Sequence, residues 1–139
     1  MARRSRAREV ALQLLYQTDR NPESPVERID QFVRERLRDD AVRQFANELI
    51  AGVQQHREQL DETIESVAEN WSLHRMTPVD RNILRVATFE ILHRPDTPPK
   101  VAIDEAVELA KRFGAEDSQR FVNGLLDRIV TKHARPAAE

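Results

Sequence analysis

The chain of 139 residues contains no cysteine, one tryptophan, one tyrosine and three glycines. Without cysteine there can be no disulfide, no thiolate metal site and no cysteine nucleophile. Gly52, Gly114 and Gly124 stand apart, so no clustered glycine loop is available to cradle phosphates. His56, His74, His93 and His133 are scattered, and none lies four residues from another, which removes the helical zinc motif. No apolar run approaches the roughly 20 residues of a membrane-spanning helix. Met1-Ala2-Arg3-Arg4-Ser5-Arg6 is followed by no apolar stretch of signal-peptide character, so a cytoplasmic protein away from membranes is expected. Strand alternation is missing as well, and the expected class is all-α.

What is present is charge, in an uneven distribution. Charged residues make up 33% of the chain, yet the formal net charge is only −2. Residues 1–8 hold Arg3, Arg4, Arg6 and Arg8 with no acid, whereas the remainder holds 18 basic and 24 acidic side chains. A basic arm on an acidic body points to a polyanionic partner for the arm, or else to a solubilising, disordered terminus. Several arginines in the first turns of a helix oppose its dipole, a local conflict usually kept for a use. Arginine rather than lysine favours phosphate and base contacts, because the planar guanidinium both forks and stacks.

Hydrophobic spacing predicts about seven helices in a compact bundle of two packed helical subdomains, residues 1–72 and 73–139. The first helix places Ala7, Val10, Ala11, Leu14 and Thr18 on one face. Ser24-Pro25-Val26-Glu27 reads as a capping box, opening a helix with Val26, Ile29, Phe32, Val33 and Leu37 inward. The sustained pattern from Val42 to Trp71 is read as two helices broken in Gln54-Gln55-His56-Arg57, since a single one would be far longer than usual. Thr77-Pro78-Val79-Asp80 opens the next helix, with Asp80 as the partner of the Thr77 cap; Glu90 on its apolar sector calls for an arginine or a partner surface. Pro95, Pro98 and Pro99 make the following connection stiff. A helix from Ile103 through Phe113 is expected to end at Gly114 as a left-handed cap, and Glu116-Asp117-Ser118 to start the last one, with Val122, Leu125, Leu126 and Ile129 inward. The tail Ala134–Glu139 is expected to fray.

No nucleophile–base pair is evident, and no cofactor is implied. Glu58, Glu62, Glu65 and Glu69 follow one helix face, as a solvated acidic surface does. Arg6 and Arg8 flank the apolar face that Ala7 begins, so both are expected to project sideways from a rigid support. Phe121 falls to one side of the last helix's apolar face, with Arg128 and Lys132 on the same flank. A ring beside cations can stack an unpaired base, although packing at the rim of the core is the commoner fate. Tyr16 lies opposite the inner face of the first helix, as a contact surface or, more simply, covered by a neighbouring helix. Lys100, Lys111 and Arg120 add positive charge to the second half.

Ala2-Arg3-Arg4-Ser5-Arg6-Ala7-Arg8-Glu9, with Leu14-Leu15-Tyr16 after it, resembles the start of the NusB family of bacterial transcription antitermination proteins. Asp80-Arg81-Asn82-Ile83-Leu84-Arg85-Val86-Ala87 and the run from Val101 to Lys111 resemble its second-half signature. Phe113-Gly114-Ala115-Glu116-Asp117-Ser118 and Phe121-Val122-Asn123-Gly124 are the most specific strings. Residues 21–75 match poorly, Ser5 interrupts what is often an unbroken arginine run, and Pro99 stands where an aromatic is often found. The resemblance implies a non-enzymatic all-helical protein. It would bind single-stranded boxA RNA of ribosomal RNA transcripts with the ribosomal protein NusE, inside an RNA polymerase antitermination complex. It would also place Arg3, Arg4, Arg6, Arg8, Tyr16, Asp117 and Phe121 at or beside RNA, with Lys100 and Arg128 as further cations, and Asp80 on the NusE-facing helix. A purely protein-binding helical adaptor, and a stand-alone module related to the RNA-binding extension of ribosomal RNA methyltransferases, are the competing classes.

Overall fold

In the computed structural model residues 2–20, 26–69 and 72–133 are described. They form α1 (Ala2–Arg20), α2 (Val26–Arg36), α3 (Asp40–Gln55), α4 (Arg57–Val67), α5 (Pro78–His93), α6 (Pro99–Phe113) and α7 (Ser118–Lys132), with a 3₁₀ turn at Leu73–Arg75 before α5. The described residues thus make an all-α bundle of seven helices. The Ser24–Glu27 capping box, Trp71 and the tail from Ala134 fall wholly or partly outside the described residues.

The organising element is α5. Thr77 Oγ accepts from the Asp80 N–H at 3.1 Å, and Pro78 takes the first helical position, where its missing N–H costs nothing. From Asn82 to Ile91 every residue is buried, because α5 packs against α1, α3, α4, α6 and α7. The apolar stripe read from the sequence is therefore only part of a helix enclosed on all sides, a pattern that polar residues conceal. One core gathers α1–α3 with Val86 and Phe89 of α5. The other gathers α4–α7 around Ile83, Leu84, Ala87 and Ile91. Leu12 of α1 belongs to the second core and Leu60 of α4 to the first, so side chains cross between the two.

The break between α3 and α4 falls at His56, within the polar stretch where the sequence placed it. Nearby, α3 comes very close to α5: a Cβ on Gly52 would lie 2.1 Å from the ring tip of Phe89. Gly52→Ala is expected to cost about 1–3 kcal/mol of folding free energy by overpacking, read as a lower urea midpoint. An unchanged midpoint would mean that the Phe89 ring moves aside freely.

Gly114 departs from expectation. Its backbone is extended, φ −91° and ψ −177°, rather than left-handed. Glycine is needed there for room, since a Cβ would sit 2.6 Å from Ser118 Cβ and Oγ. Ser118 Oγ accepts the Ala115 N–H at 2.9 Å, which closes the short turn from α6 into α7.

Candidate nucleic-acid interface

The arginine-rich segment is helical from Ala2 onward rather than a loose arm. Its first turns are tied down by acids, two from distant elements and one from α1 itself, which answer the conflict with the helix dipole. Arg3 pairs with Asp39, Arg4 with Asp96 at 3.4 Å, and Arg6 with Glu9 at 2.5 Å. All three remain accessible, with side chains 69%, 42% and 45% exposed.

Arg8 does not join them. The expectation that it projects outward is corrected by its 3% exposure. Glu90 on α5 and Glu105 on α6 both claim it. Its Nε and Nη2 donate to Glu90 at 2.7 and 2.8 Å, and its Nη1 donates to Glu105 at 3.0 Å. Burial disfavours the cation, but the hydrogen bonds and charges of Glu90 and Glu105 outweigh it and lift the Arg8 pKa above the usual arginine value. The sequence left an arginine or a partner surface as the explanation for Glu90; the geometry assigns Arg8. Ser5, which interrupts the arginine run, donates from Oγ to the same Glu105. The ring of Phe45 lies among Arg4, Arg8 and Arg94, with guanidinium carbons 4.4, 5.2 and 5.2 Å from its centre.

The other predicted residues are spread along the bundle. Lys100 is exposed in the first turn of α6, beyond the turn that carries Asp96, the partner of Arg4. Tyr16 is half-buried rather than covered, and its hydroxyl accepts from Arg20 at 3.3 Å. Asp117 is exposed at the α6–α7 turn, and Phe121 is half-buried against the second core. Consecutive antiparallel helices alternate ends. Phe121 therefore lies toward the end where α5 begins, while Arg3 and Arg4 lie toward the end where α5 finishes. Arg128 keeps its register with Phe121, but its Nη1 donates to the Val67 carbonyl at 3.1 Å and so caps α4. Asp80 is 8% exposed, and among the described residues its Oδ1 has no hydrogen-bond partner.

Between the two ends lies an open cleft of about 510 Å³. Arg6, Gln13 and Tyr16 of α1, Phe32 and Arg36 of α2, and Phe113 of α6 line it, with Leu12 and Val79 at its apolar base. Phe113, the last residue of α6, is 38% exposed. Gln13 and Phe113 were not singled out in the sequence because the cleft brings α1 and α2 together with α5 and α6, far away along the chain.

Residues 5–131 match the NusB family model. A transcription antitermination protein NusB of Myxococcus xanthus is 45% identical, over 98% of this chain and all of its own. The fold superposes on NusB of T. maritima with a TM-score of 0.85 at 39% identity, over 95% of this chain and 93% of the other. It superposes with a TM-score of 0.86 and 29% identity on a crystal structure of antitermination factors NusB and NusE in complex with double-stranded RNA, over 96% and 99% of the two chains. With the family model spanning both helical halves and a relative matched along its whole length, this chain belongs to the NusB family.

Proposed function

We propose that the protein is a non-enzymatic RNA-binding antitermination factor. It engages single-stranded boxA RNA of ribosomal RNA transcripts together with NusE, as part of the RNA polymerase antitermination complex in the cytoplasm. The observation that carries this reading is the display of Arg3, Arg4 and Arg6 on a rigid helix, in a family whose solved members include a NusB–NusE–RNA assembly. The strand would run from Lys100, Arg3 and Arg4, past Arg6 and Tyr16, toward Asp117 and Phe121. Arg8 works from inside, holding α1 in place rather than touching phosphate. NusE would dock beside the start of α5, where a donor from NusE would satisfy the unpartnered oxygen of Asp80.

Three phosphate-neutralising arginines contribute about −2 to the slope of log K against log salt for single-stranded RNA. Changing Arg3, Arg4 and Arg6 together to glutamine should make the slope shallower by about 2, measured by fluorescence anisotropy with boxA RNA and NusE. A slope unaltered by the triple change would take these arginines out of the interface. Phe121→Ala should weaken binding by about 1–3 kcal/mol if the ring stacks a base. Full affinity in a folded variant would leave Phe121 as a core-rim residue. A protein adaptor would give no preference for boxA over scrambled RNA.

A further inference from the structure

We infer that the cleft between α1, α2 and the end of α6 takes one unpaired nucleobase of the bound RNA, with Gln13 reading its edge and Tyr16, Phe32 and Phe113 supplying apolar walls. The inference rests on the RNA-binding reading and adds to it a specific base pocket.

Four features converge. The cleft, at about 510 Å³, falls within the ~300–1,000 Å³ range of ligand sites and is open to solvent. Each of its rings carries a guanidinium: Arg36 lies 3.5 Å from the centre of Phe32, Arg112 4.9 Å from Phe113 and Arg20 5.8 Å from Tyr16. Glu9 is shared by Arg6 and Arg112, at 2.5 and 2.7 Å, so two cations here meet one acid. Gln13 is half-buried on the cleft wall, and among the described residues its carboxamide makes no hydrogen bond.

Each feature selects against other occupants. An apolar side chain from a protein partner would leave the half-buried amide of Gln13 unpaired and gain nothing from the surrounding cations. A bare phosphate would have no use for three rings. A nucleotide answers all of them, because a carboxamide matches the donor–acceptor edge of a base, aromatic faces stack it, and guanidinium groups hold the phosphates on either side. The cleft also lies on the proposed path of the strand, between Arg6 and the α6–α7 turn.

The test uses the full chain with NusE and a series of boxA RNAs, each carrying one abasic nucleotide at a successive position. The unaltered chain should lose about 10- to 100-fold in affinity at one position. Gln13→Ala and Phe113→Ala should each bind intact RNA more weakly, and should be indifferent to base removal at that same position. Their salt slope should stay that of the unaltered chain, because no phosphate contact is removed. Variants that bind intact RNA within twofold of the unaltered chain, or that remain as sensitive to every abasic site, overturn the pocket and leave the RNA-binding reading intact. Failure of the unaltered chain to bind any of these RNAs overturns both. If Phe113→Ala fails to fold, Gln13→Ala decides the matter alone.

Discussion

Glu90→Gln is expected to lower folding stability by about 3–5 kcal/mol, the usual cost of breaking a buried ion pair from one side. The carboxylate is 1% exposed and holds Arg8 through two hydrogen bonds of 2.7 and 2.8 Å. A carboxamide in its place turns an NH₂ group toward guanidinium N–H groups, so donors face donors while the cation stays buried. Glu105 relieves part of the loss, being 3.0 Å from Arg8 Nη1. Arg8→Met alone should cost a similar amount, since it takes from the buried Glu90 carboxylate the guanidinium that pairs with it. The double change Arg8→Met with Glu90→Leu should recover much of the loss, because an apolar pair of matching volume avoids both desolvation penalties. Urea unfolding of the unaltered chain, Arg8→Met, Glu90→Leu and the double change closes the cycle and gives the coupling energy. A coupling below about 0.5 kcal/mol would mean that the pair is worth no more than one on the surface.

That pair also shows why part of the structure was legible in the sequence and part was not. Helix positions follow from local signals: the break at His56, the Thr77 cap with Pro78 behind it, and the prolines before α6 can each be read within a few residues. The environment of α5 cannot. Its polar residues at Asn82, Arg85 and Glu90 are satisfied by Asp19, Asp61 and Arg8, which lie from 24 to 82 positions away. Periodicity places a charge on a helical sector but says nothing of a counter-charge brought by another helix. The same blindness made Arg8 look like its neighbours Arg3, Arg4 and Arg6. The cleft was hidden for a related reason, as Phe113 obeys the helical stripe of α6 yet sits at its very end, beyond the point where the neighbouring helices cover it.

At the other end of α1, Asp19→Asn is expected to cost about 2–4 kcal/mol at neutral pH, and the difference should shrink in acid. The Asp19 side chain is 9% exposed and collects three donors: Arg81 Nε at 2.8 Å, Asn82 Nδ2 at 3.0 Å and Arg57 Nη2 at 3.2 Å. Arg85 Nη1 stands 3.6 Å away. These contacts fasten the last turn of α1 to the starts of both α4 and α5, one turn from Tyr16. Burial alone would raise the Asp19 pKa, but the hydrogen bonds from Arg81 and Asn82 and the charges of Arg81 and Arg85 prevail and hold it below the usual carboxylate value. A depressed folded-state pKa contributes stability that is fully present above the unfolded-state value of about 4 and is lost as pH falls through the folded-state value. Asparagine keeps one acceptor oxygen but carries no charge to lose, so the variant should depend less on pH in that window. Glu48, held low by Arg94, and Asp96, held low by Arg94 despite its desolvation, continue to titrate in both proteins and leave the difference between them unaffected. Urea unfolding at pH 7, 5 and 3 measures this. If the gap is as wide at pH 3 as at pH 7, the loss comes from packing or hydrogen-bond geometry, and the charge of Asp19 does not hold α1 to α5.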